Sequence, residues 1–143
     1  MASTGILIVG VGGQGTLLSS RIMGKVALAA GYDVRVSEVH GMSQRGGSVV
    51  TYVRFGDKIY SPLVEKGQAD FILAFEKLEA LRWVEYLKPD GKVIANVQEI
   101  MPMPVMLGLQ QYPAELDQSL SEAVATFFID AKETDPDKPT QIW

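Results

Sequence analysis

Two glycine-rich segments of this chain carry the residue types that bind anions. The first, Gly10-Val11-Gly12-Gly13-Gln14-Gly15-Thr16, follows the apolar run Ile6 to Val9 and fits the pattern G-x-G-x-x-G. Glycines at this spacing permit a tight turn and a close backbone approach to a ligand. A helix that begins at the loop points free N–H groups and the positive end of its dipole at that ligand. The predicted ligand-binding residues here are Gly10, Gly12, Gly13, Gln14, Gly15 and Thr16. The alternative is a glycine turn that only packs a helix on a strand.

The second segment is polar and follows a predicted buried strand. It reads His40-Gly41-Met42-Ser43-Gln44-Arg45-Gly46-Gly47-Ser48. Ligands of open α/β sheets bind at the carboxyl ends of the strands, so we expect this segment to face the first loop. A cation, an imidazole, hydroxyls, an amide and two bare backbone N–H groups suit phosphate, carboxylate or the backbone of a partner. The predicted site residues are His40, Ser43, Gln44, Arg45, Gly46 and Gly47. The alternatives are a structural histidine and an ordinary surface arginine.

Glu38 leaves a second interpretation open. It lies 23 residues after Gly15, near the end of the second predicted strand. An acid about 20 residues beyond the glycines binds the ribose in dinucleotide-binding units. A stand-alone NAD(P)-binding protein therefore remains an alternative, as does a small-ligand-binding regulatory module. The other explanation of Glu38 is an exposed carboxylate at the end of a strand.

The composition excludes several kinds of chemistry. The 143 residues include no cysteine and one histidine, so a disulfide, a thiolate–zinc site, an iron–sulfur cluster and a His-rich metal site cannot form. We accordingly predict no catalytic residue and no metal ligand. A net charge of −4 without a basic stripe argues against nucleic acid as a partner. With no apolar run of membrane-spanning length and no signal peptide, the expected location is cytoplasmic and away from the membrane.

The elements around the loops predict an α/β fold. A helix over residues 16–30 should turn its large apolar side chains and a late alanine to the sheet: Leu18, Ile22, Val26 and Ala29 or Ala30. Its small-residue side is formed by Ser19, Ser20, Gly24 and Ala27. A strand over 33–39 should pair in parallel with the first strand. Residues 49–60 are typical of an antiparallel hairpin with its turn at Gly56-Asp57.

The second half of the sequence also predicts alternating strands and helices. We predict strands over 70–75, 92–96 and 127–129, a helix over 76–88 and another that opens at Pro113. The methionine- and proline-rich segment 101–107 is assigned to the core, and the alternative is a surface kept apolar for a partner. The whole is predicted to be a Rossmann-like three-layer domain over residues 1–130, with a mostly parallel sheet and an inserted antiparallel hairpin. Residues 131–143 form a polar C-terminal tail.

The two glycine-rich motifs at their spacing resemble the gamma-subunit family of 2-oxoacid:ferredoxin oxidoreductases. The segments Tyr60-Ser61-Pro62, Ala69-Asp70 and Leu87-Lys88-Pro89-Asp90-Gly91 match the same pattern. The form His-Gly-Met-Ser-Gln-Arg-Gly-Gly points to the arylpyruvate branch, the beta subunit of indolepyruvate:ferredoxin oxidoreductase. The resemblance covers about residues 5 to 130.

The resemblance implies a reaction and a set of partners. A 2-oxoacid is converted to acyl-coenzyme A and CO2, and ferredoxin is reduced. Thiamine diphosphate, Mg2+ and 4Fe–4S clusters are implied to belong to a large alpha subunit, and this chain is expected to hold no cofactor alone. Its expected role is to cover or support the active site and to help bind coenzyme A through the two loops. Relatives are implied to carry a further helical segment after the last strand. Only residues 131–143 stand there, so completeness of the sequence at its C-terminus is left open.

Overall fold

The computed structural model describes residues 3–12, 14–39 and 47–130. Six strands lie at Thr4–Val11 (β1), Asp33–Val39 (β2), Ser48–Gly56 (β3), Ala69–Ala74 (β4), Leu87–Asn96 (β5) and Ala125–Ile129 (β6). Four α-helices lie at Thr16–Ala29 (α1), Lys77–Arg82 (α2), Met103–Met106 (α3) and Leu116–Ala123 (α4), with a 3-10 turn at Val84–Tyr86. Within these residues, no helix has the length and apolar character needed to cross a membrane.

The strands form one mixed sheet in the order β2-β3-β1-β4-β5-β6. β1, β4, β5 and β6 run parallel, while β3 is antiparallel to both of its neighbours. The predicted α/β class and the mostly parallel sheet with an antiparallel part are confirmed. The antiparallel part consists of β3 between β1 and β2, and the predicted hairpin over residues 49–60 is not formed.

The predicted direct pairing of β1 with β2 is wrong, because β3 lies between them. Val53 of β3 is opposite Ile6 on one side and Val36 on the other. The nine residues of β3 are rich in β-branched and aromatic side chains and include buried ones on both faces. Such a sequence suits an interior strand with two neighbours.

The predicted return strand at residues 58–60 is also wrong. Both edges of β3 are already paired, so no edge remains for those residues to join. Ile59 is buried and donates its backbone N–H to Asp33 Oδ2 at 2.8 Å. The segment after Gly56 therefore packs against the start of β2 without forming a strand.

Helix α1 has nearly the predicted bounds but the opposite orientation. Leu18, Ile22 and Val26 are 63%, 54% and 64% exposed, whereas the small-residue side, which includes Ser20, Gly24 and Ala27, is buried. A Cβ on Gly24 would lie 3.6 Å from Val36 Cγ2, so small residues let this helix approach the sheet closely. The large apolar side chains consequently form an outward ridge.

The predicted helix over 76–88 is too long. Helix α2 ends at Arg82, and β5 already begins at Leu87, which pairs with Ala69. Lys88 Nζ lies 2.9 Å from Asp70 Oδ1, and this ion pair joins the starts of β4 and β5. A register shift between Ala69 and Phe71 accommodates the following Pro-Asp-Gly.

The main core lies between the sheet and helices α2 and α4. It includes Leu7, Ile72, Val93 and Leu120, all fully buried. The assignment of segment 101–107 to the core is wrong. Its exposed apolar residues are Met101, Met103, Met106 and Leu107. The predicted helix at Pro113 begins at Leu116.

Candidate functional site

A crevice forms where the carboxyl ends of β1 and β4 meet. The register places Leu7, Ile72 and Val93 on the face covered by α2 and α4. Ile6 lies on the other face, where it lines a cavity together with residues of α1. The chain thus leaves these two strands toward opposite faces. Such a topological switch point is where open α/β sheets bind ligands.

The structure brings the ends of the two glycine-rich segments together at this crevice. Gly12 donates its backbone N–H to the carbonyl oxygen of Gly47 at 2.9 Å. Gly47 leads into β3, so the second segment enters the sheet beside the first loop. The other predicted residues of these segments, Gly13, His40, Ser43, Gln44, Arg45 and Gly46, lie outside the described residues.

Gln14 braces the first loop from within. Its Oε1 accepts the backbone N–H of Val11 at 2.8 Å, and its Nε2 donates to the Phe75 carbonyl at 3.0 Å. The same Nε2 lies 3.3 Å from Gln98 Oε1. A Cβ on Gly10 would lie only 2.9 Å from Gln14 Oε1, so the glycine at position 10 makes room for this side chain. Gln14 therefore ties the loop to the end of β4.

The helix N-terminus beside Gln14 opens outward. Gly15 adopts a left-handed conformation with φ +87°, and a Cβ there would meet nothing within 4 Å. The N–H groups of the first helical turn have no carbonyl of their own helix to bond. Thr16 is buried behind them. An anion could therefore approach this end of α1 at Gly15.

Glu38 lies far from the first loop for a ribose-binding acid. Glu38 lies on β2, opposite Thr51 of β3. Strand β3 separates β2 from β1. Two strand spacings amount to roughly 10 Å. β3 also occupies the side of β1 where the adenosine half of a dinucleotide would extend. The geometry thus disfavours the dinucleotide interpretation of the glycine pattern.

Two buried carboxylates that the sequence analysis missed form the floor of the crevice. Glu76 is 1% exposed, and its Oε2 caps α2 by accepting the Glu79 N–H at 2.9 Å. Its Oε1 accepts the Ile100 N–H at 3.4 Å and the Tyr112 hydroxyl. Burial and the adjacent Glu76 raise the pKa of Tyr112, which keeps this hydroxyl a donor.

Glu79 lies beside a cavity of about 300 Å3 at the same edge of the sheet. Its Oε2 accepts the Ser48 hydroxyl at 2.5 Å, and its Oε1 lies 3.3 Å from Arg82 Nε. Burial raises the pKa of Glu79, against the opposing effects of Ser48 and Arg82. Val11 and Met103 add apolar walls.

This arrangement suits binding better than proton transfer. The carboxylates of Glu76 and Glu79 are engaged with neighbouring donors of the same wall. Arg82 is half-exposed and adds a positive charge at the cavity mouth. Within residues 3–12, 14–39 and 47–130, no group of His, Asp and Glu side chains could hold a metal ion. One sequence signal for this site exists: Glu76 comes directly after a buried strand, at its carboxyl end.

Comparison with known sequences identifies one protein family. The profile of the pyruvate ferredoxin/flavodoxin oxidoreductase family matches residues 5–134. Indolepyruvate oxidoreductase subunit IorB of Pyrococcus horikoshii is 54% identical over 114 residues, covering 80% of this chain and 56% of that protein. The same subunit of Archaeoglobus fulgidus is 46% identical, covering 82% and 57%. The chain thus spans little more than half the length of these curated relatives.

Comparison with solved structures shows the same fold. Pyruvate oxidoreductase subunit PORC of Thermotoga maritima superposes with a TM-score of 0.65 at 20% identity, covering 92% of this chain and 64% of that one. A 2-oxoglutarate:ferredoxin oxidoreductase of Magnetococcus marinus, solved with 2-oxoglutarate, coenzyme A and succinyl-CoA bound, gives 0.59 at 18% identity, covering 91% and 20%.

Proposed function

This chain belongs to the pyruvate ferredoxin/flavodoxin oxidoreductase family, and from that premise we propose that it is the small subunit of an indolepyruvate-type 2-oxoacid:ferredoxin oxidoreductase. The observation that carries the proposal is the 54% identity to indolepyruvate oxidoreductase subunits over four-fifths of the chain. The complex would convert an arylpyruvate and coenzyme A into aryl-acetyl-coenzyme A, CO2 and a proton, passing two electrons to ferredoxin.

The residues of this chain do not fit the redox groups of such a complex. Iron–sulfur clusters need thiolate ligands, and the sequence contains no cysteine. The carboxylates of Glu76 and Glu79 are engaged in capping and in bonds to Ser48 and Tyr112, so they do not form an open magnesium site. We therefore assign thiamine diphosphate, Mg2+ and the clusters to the large subunit.

The two loops fit an anionic ligand, and we assign them to the phosphate end of coenzyme A. The open helix N-terminus at Gly15 offers backbone N–H groups, and the Gly12–Gly47 bond places the second segment beside it. Gly10 and Gln14 hold the loop in shape. Arg45, two residues before Gly47, supplies the countercharge. A bound coenzyme A would present its thiol to the acyl group held by the partner.

Two experiments test these assignments separately. Sedimentation velocity should show that the chain forms a stable complex with the large subunit encoded beside it, and free chains would contradict the subunit assignment. Steady-state kinetics of the complex tests Arg45. Losing one charge-assisted hydrogen bond should raise KM for coenzyme A about tenfold or more in Arg45→Ala. KM for the arylpyruvate should stay constant.

The matched control for Arg45→Ala is Arg21→Ala, which removes an exposed arginine from α1. It should leave both KM values unchanged. An unchanged KM for coenzyme A in Arg45→Ala would remove Arg45 from the site while leaving the subunit assignment intact.

A further inference from the structure

The cavity at the carboxyl edge of the sheet, here called the crevice cavity, has mostly apolar walls. Its apolar lining includes Val11, Leu78, Ile100, Met103 and Met106. The two methionines are nevertheless 58% and 62% exposed. The volume of the cavity is about 300 Å3, and a cavity of about 150 Å3 is enough for a benzene ring. The crevice cavity therefore has room for a bicyclic aromatic ring with a short side chain.

The methionine side of the crevice cavity suits an aromatic ring. Met103 and Met106 are three residues apart in α3, so they lie on one side of that helical turn. Pro102 and Pro104 line the same cavity and restrict the backbone there. Thioether side chains adapt to the shape of a ligand and make favourable contacts with aromatic rings. This wall therefore combines a restrained backbone with adaptable side chains.

The buried polar groups of the crevice cavity are hydrogen-bond acceptors. Glu76 and Glu79 line it and are 1% and 5% exposed. A carboxylate can accept about four hydrogen bonds, and the Ser48 hydroxyl and Arg82 Nε use only part of the capacity of Glu79. Two acidic groups against one guanidinium make this wall unfavourable for an anion. A neutral N–H or O–H group of a ligand can instead donate to Glu79.

The mouth of the crevice cavity carries the opposite charge. Arg82 is half-exposed, and its Nε lies 3.3 Å from Glu79 Oε1. A guanidinium has five N–H donors in a planar fork that matches a carboxylate. The N–H groups on its two Nη atoms can therefore bind a ligand carboxylate at the surface. The cavity thus suits an aromatic ring that bears a hydrogen-bond donor and a short chain that ends in a carboxylate.

We propose that the crevice cavity binds the ring of an aromatic 2-oxo acid, with a ring N–H or O–H group donating to Glu79 and the carboxylate bound by Arg82. The inference rests on the proposed function and places part of the recognition of the arylpyruvate on this chain. The phosphates of coenzyme A fit the cavity less well, because Glu76 and Glu79 would repel them. An aliphatic acid would leave the acceptor capacity of Glu79 unused.

The test titrates the isotope-labelled chain with indoleacetate, a stable aromatic acid with a ring N–H, and follows the backbone amide signals by NMR. The signals of Val11, Ser48 and Glu79 should shift and saturate. Two further probes each lack one group, because naphthylacetate has no N–H and tryptophol has no carboxylate. Since each of them loses a hydrogen bond to a charged side chain, its dissociation constant should be about threefold or more above that of indoleacetate.

Substitutions in the cavity wall give a second readout. Met103→Trp fills the cavity from an exposed position, so the dissociation constant of indoleacetate should rise about tenfold or more. The matched control is Leu109→Trp, at a position that is 76% exposed and outside the cavity walls. It should bind within about twofold of the wild type. Arg82→Gln should weaken the binding of indoleacetate and leave that of tryptophol unchanged, whereas a misfolded variant would lose both.

Three outcomes would each overturn the proposal. They are the lack of saturable shifts in the wild type, wild-type affinity in Met103→Trp, and equal affinities for the three probes. The titration needs no partner, so such a failure leaves the subunit assignment standing. Free chains in the sedimentation experiment with the large subunit would instead overturn the proposed function.

Discussion

Replacing Gln14 with alanine tests whether this side chain holds the first glycine loop in place. The substitution removes three hydrogen bonds, to the Val11 N–H, the Phe75 carbonyl and the side chain of Gln98. Phe75 keeps a donor, because Asn96 Nδ2 lies 3.3 Å from its carbonyl oxygen. The N–H of Val11, which is a buried residue, loses its acceptor. With about 1 kcal/mol per bond, the expected loss in the free energy of unfolding is about 2–3 kcal/mol.

The assay is urea-induced unfolding followed by circular dichroism, combined with thermal melts. A loss of this size corresponds to a fall in Tm of roughly 5–10 °C for a chain of this length. The control is Gln118→Ala. Gln118 is exposed and bonds Glu122 of its own helix at 2.9 Å, so its removal should cost less than about 0.5 kcal/mol.

A double-mutant cycle with Gly10 makes the test specific. Gly10→Ala alone would force a Cβ to 2.9 Å from Gln14 Oε1 and should destabilise the chain. In the Gln14→Ala background this closest contact is gone, so the cost of Gly10→Ala should fall. Additive losses, or a loss below about 0.5 kcal/mol for Gln14→Ala, would refute the bracing role.

Three further substitutions are expected to have distinct signatures. Burial raises the pKa of Glu79, so the folded chain binds this proton more tightly, and the contribution of Glu79 to stability falls as the pH rises from the ordinary value of 4.5. The urea midpoint of Glu79→Gln relative to wild type should therefore increase between pH 4 and 8, and a constant difference would contradict this. Asp70→Ala removes the acceptor of the Gly5 N–H at 2.8 Å and should cost about 1–2 kcal/mol in urea unfolding. Leu120→Ala empties a fully buried position and should cost about 3 kcal/mol, whereas Leu109→Ala should stay within about 0.5 kcal/mol by the same measurement.

Local patterns predicted the elements that depend on neighbouring residues. The apolar run, glycine turn and helix start around residues 5–16 follow from short-range backbone preferences, and the structure has them at that place. The strand at Ala69–Ala74 also agrees with the predicted strand over 70–75, because polar residues bound its apolar run on both sides.

Features that depend on distant partners could not be predicted. The position of β3 between β1 and β2 depends on which strands pair. The sequence of a single strand does not determine its pairing partner. Hydrophobic periodicity chose the wrong side of α1, because the close approach at Gly24 favours small side chains over large ones. Glu79 was missed since its burial depends on Ser48, 31 residues earlier in the chain.

We propose that this chain completes an arylpyruvate:ferredoxin oxidoreductase, and coupled activity tests this proposal most directly. The purified large subunit would be assayed for arylpyruvate- and coenzyme A-dependent reduction of ferredoxin, with increasing amounts of this chain. We expect a rate that rises with the amount of this chain and saturates at a fixed ratio of the two subunits, with neither subunit active alone. A rate independent of the chain would contradict the claim.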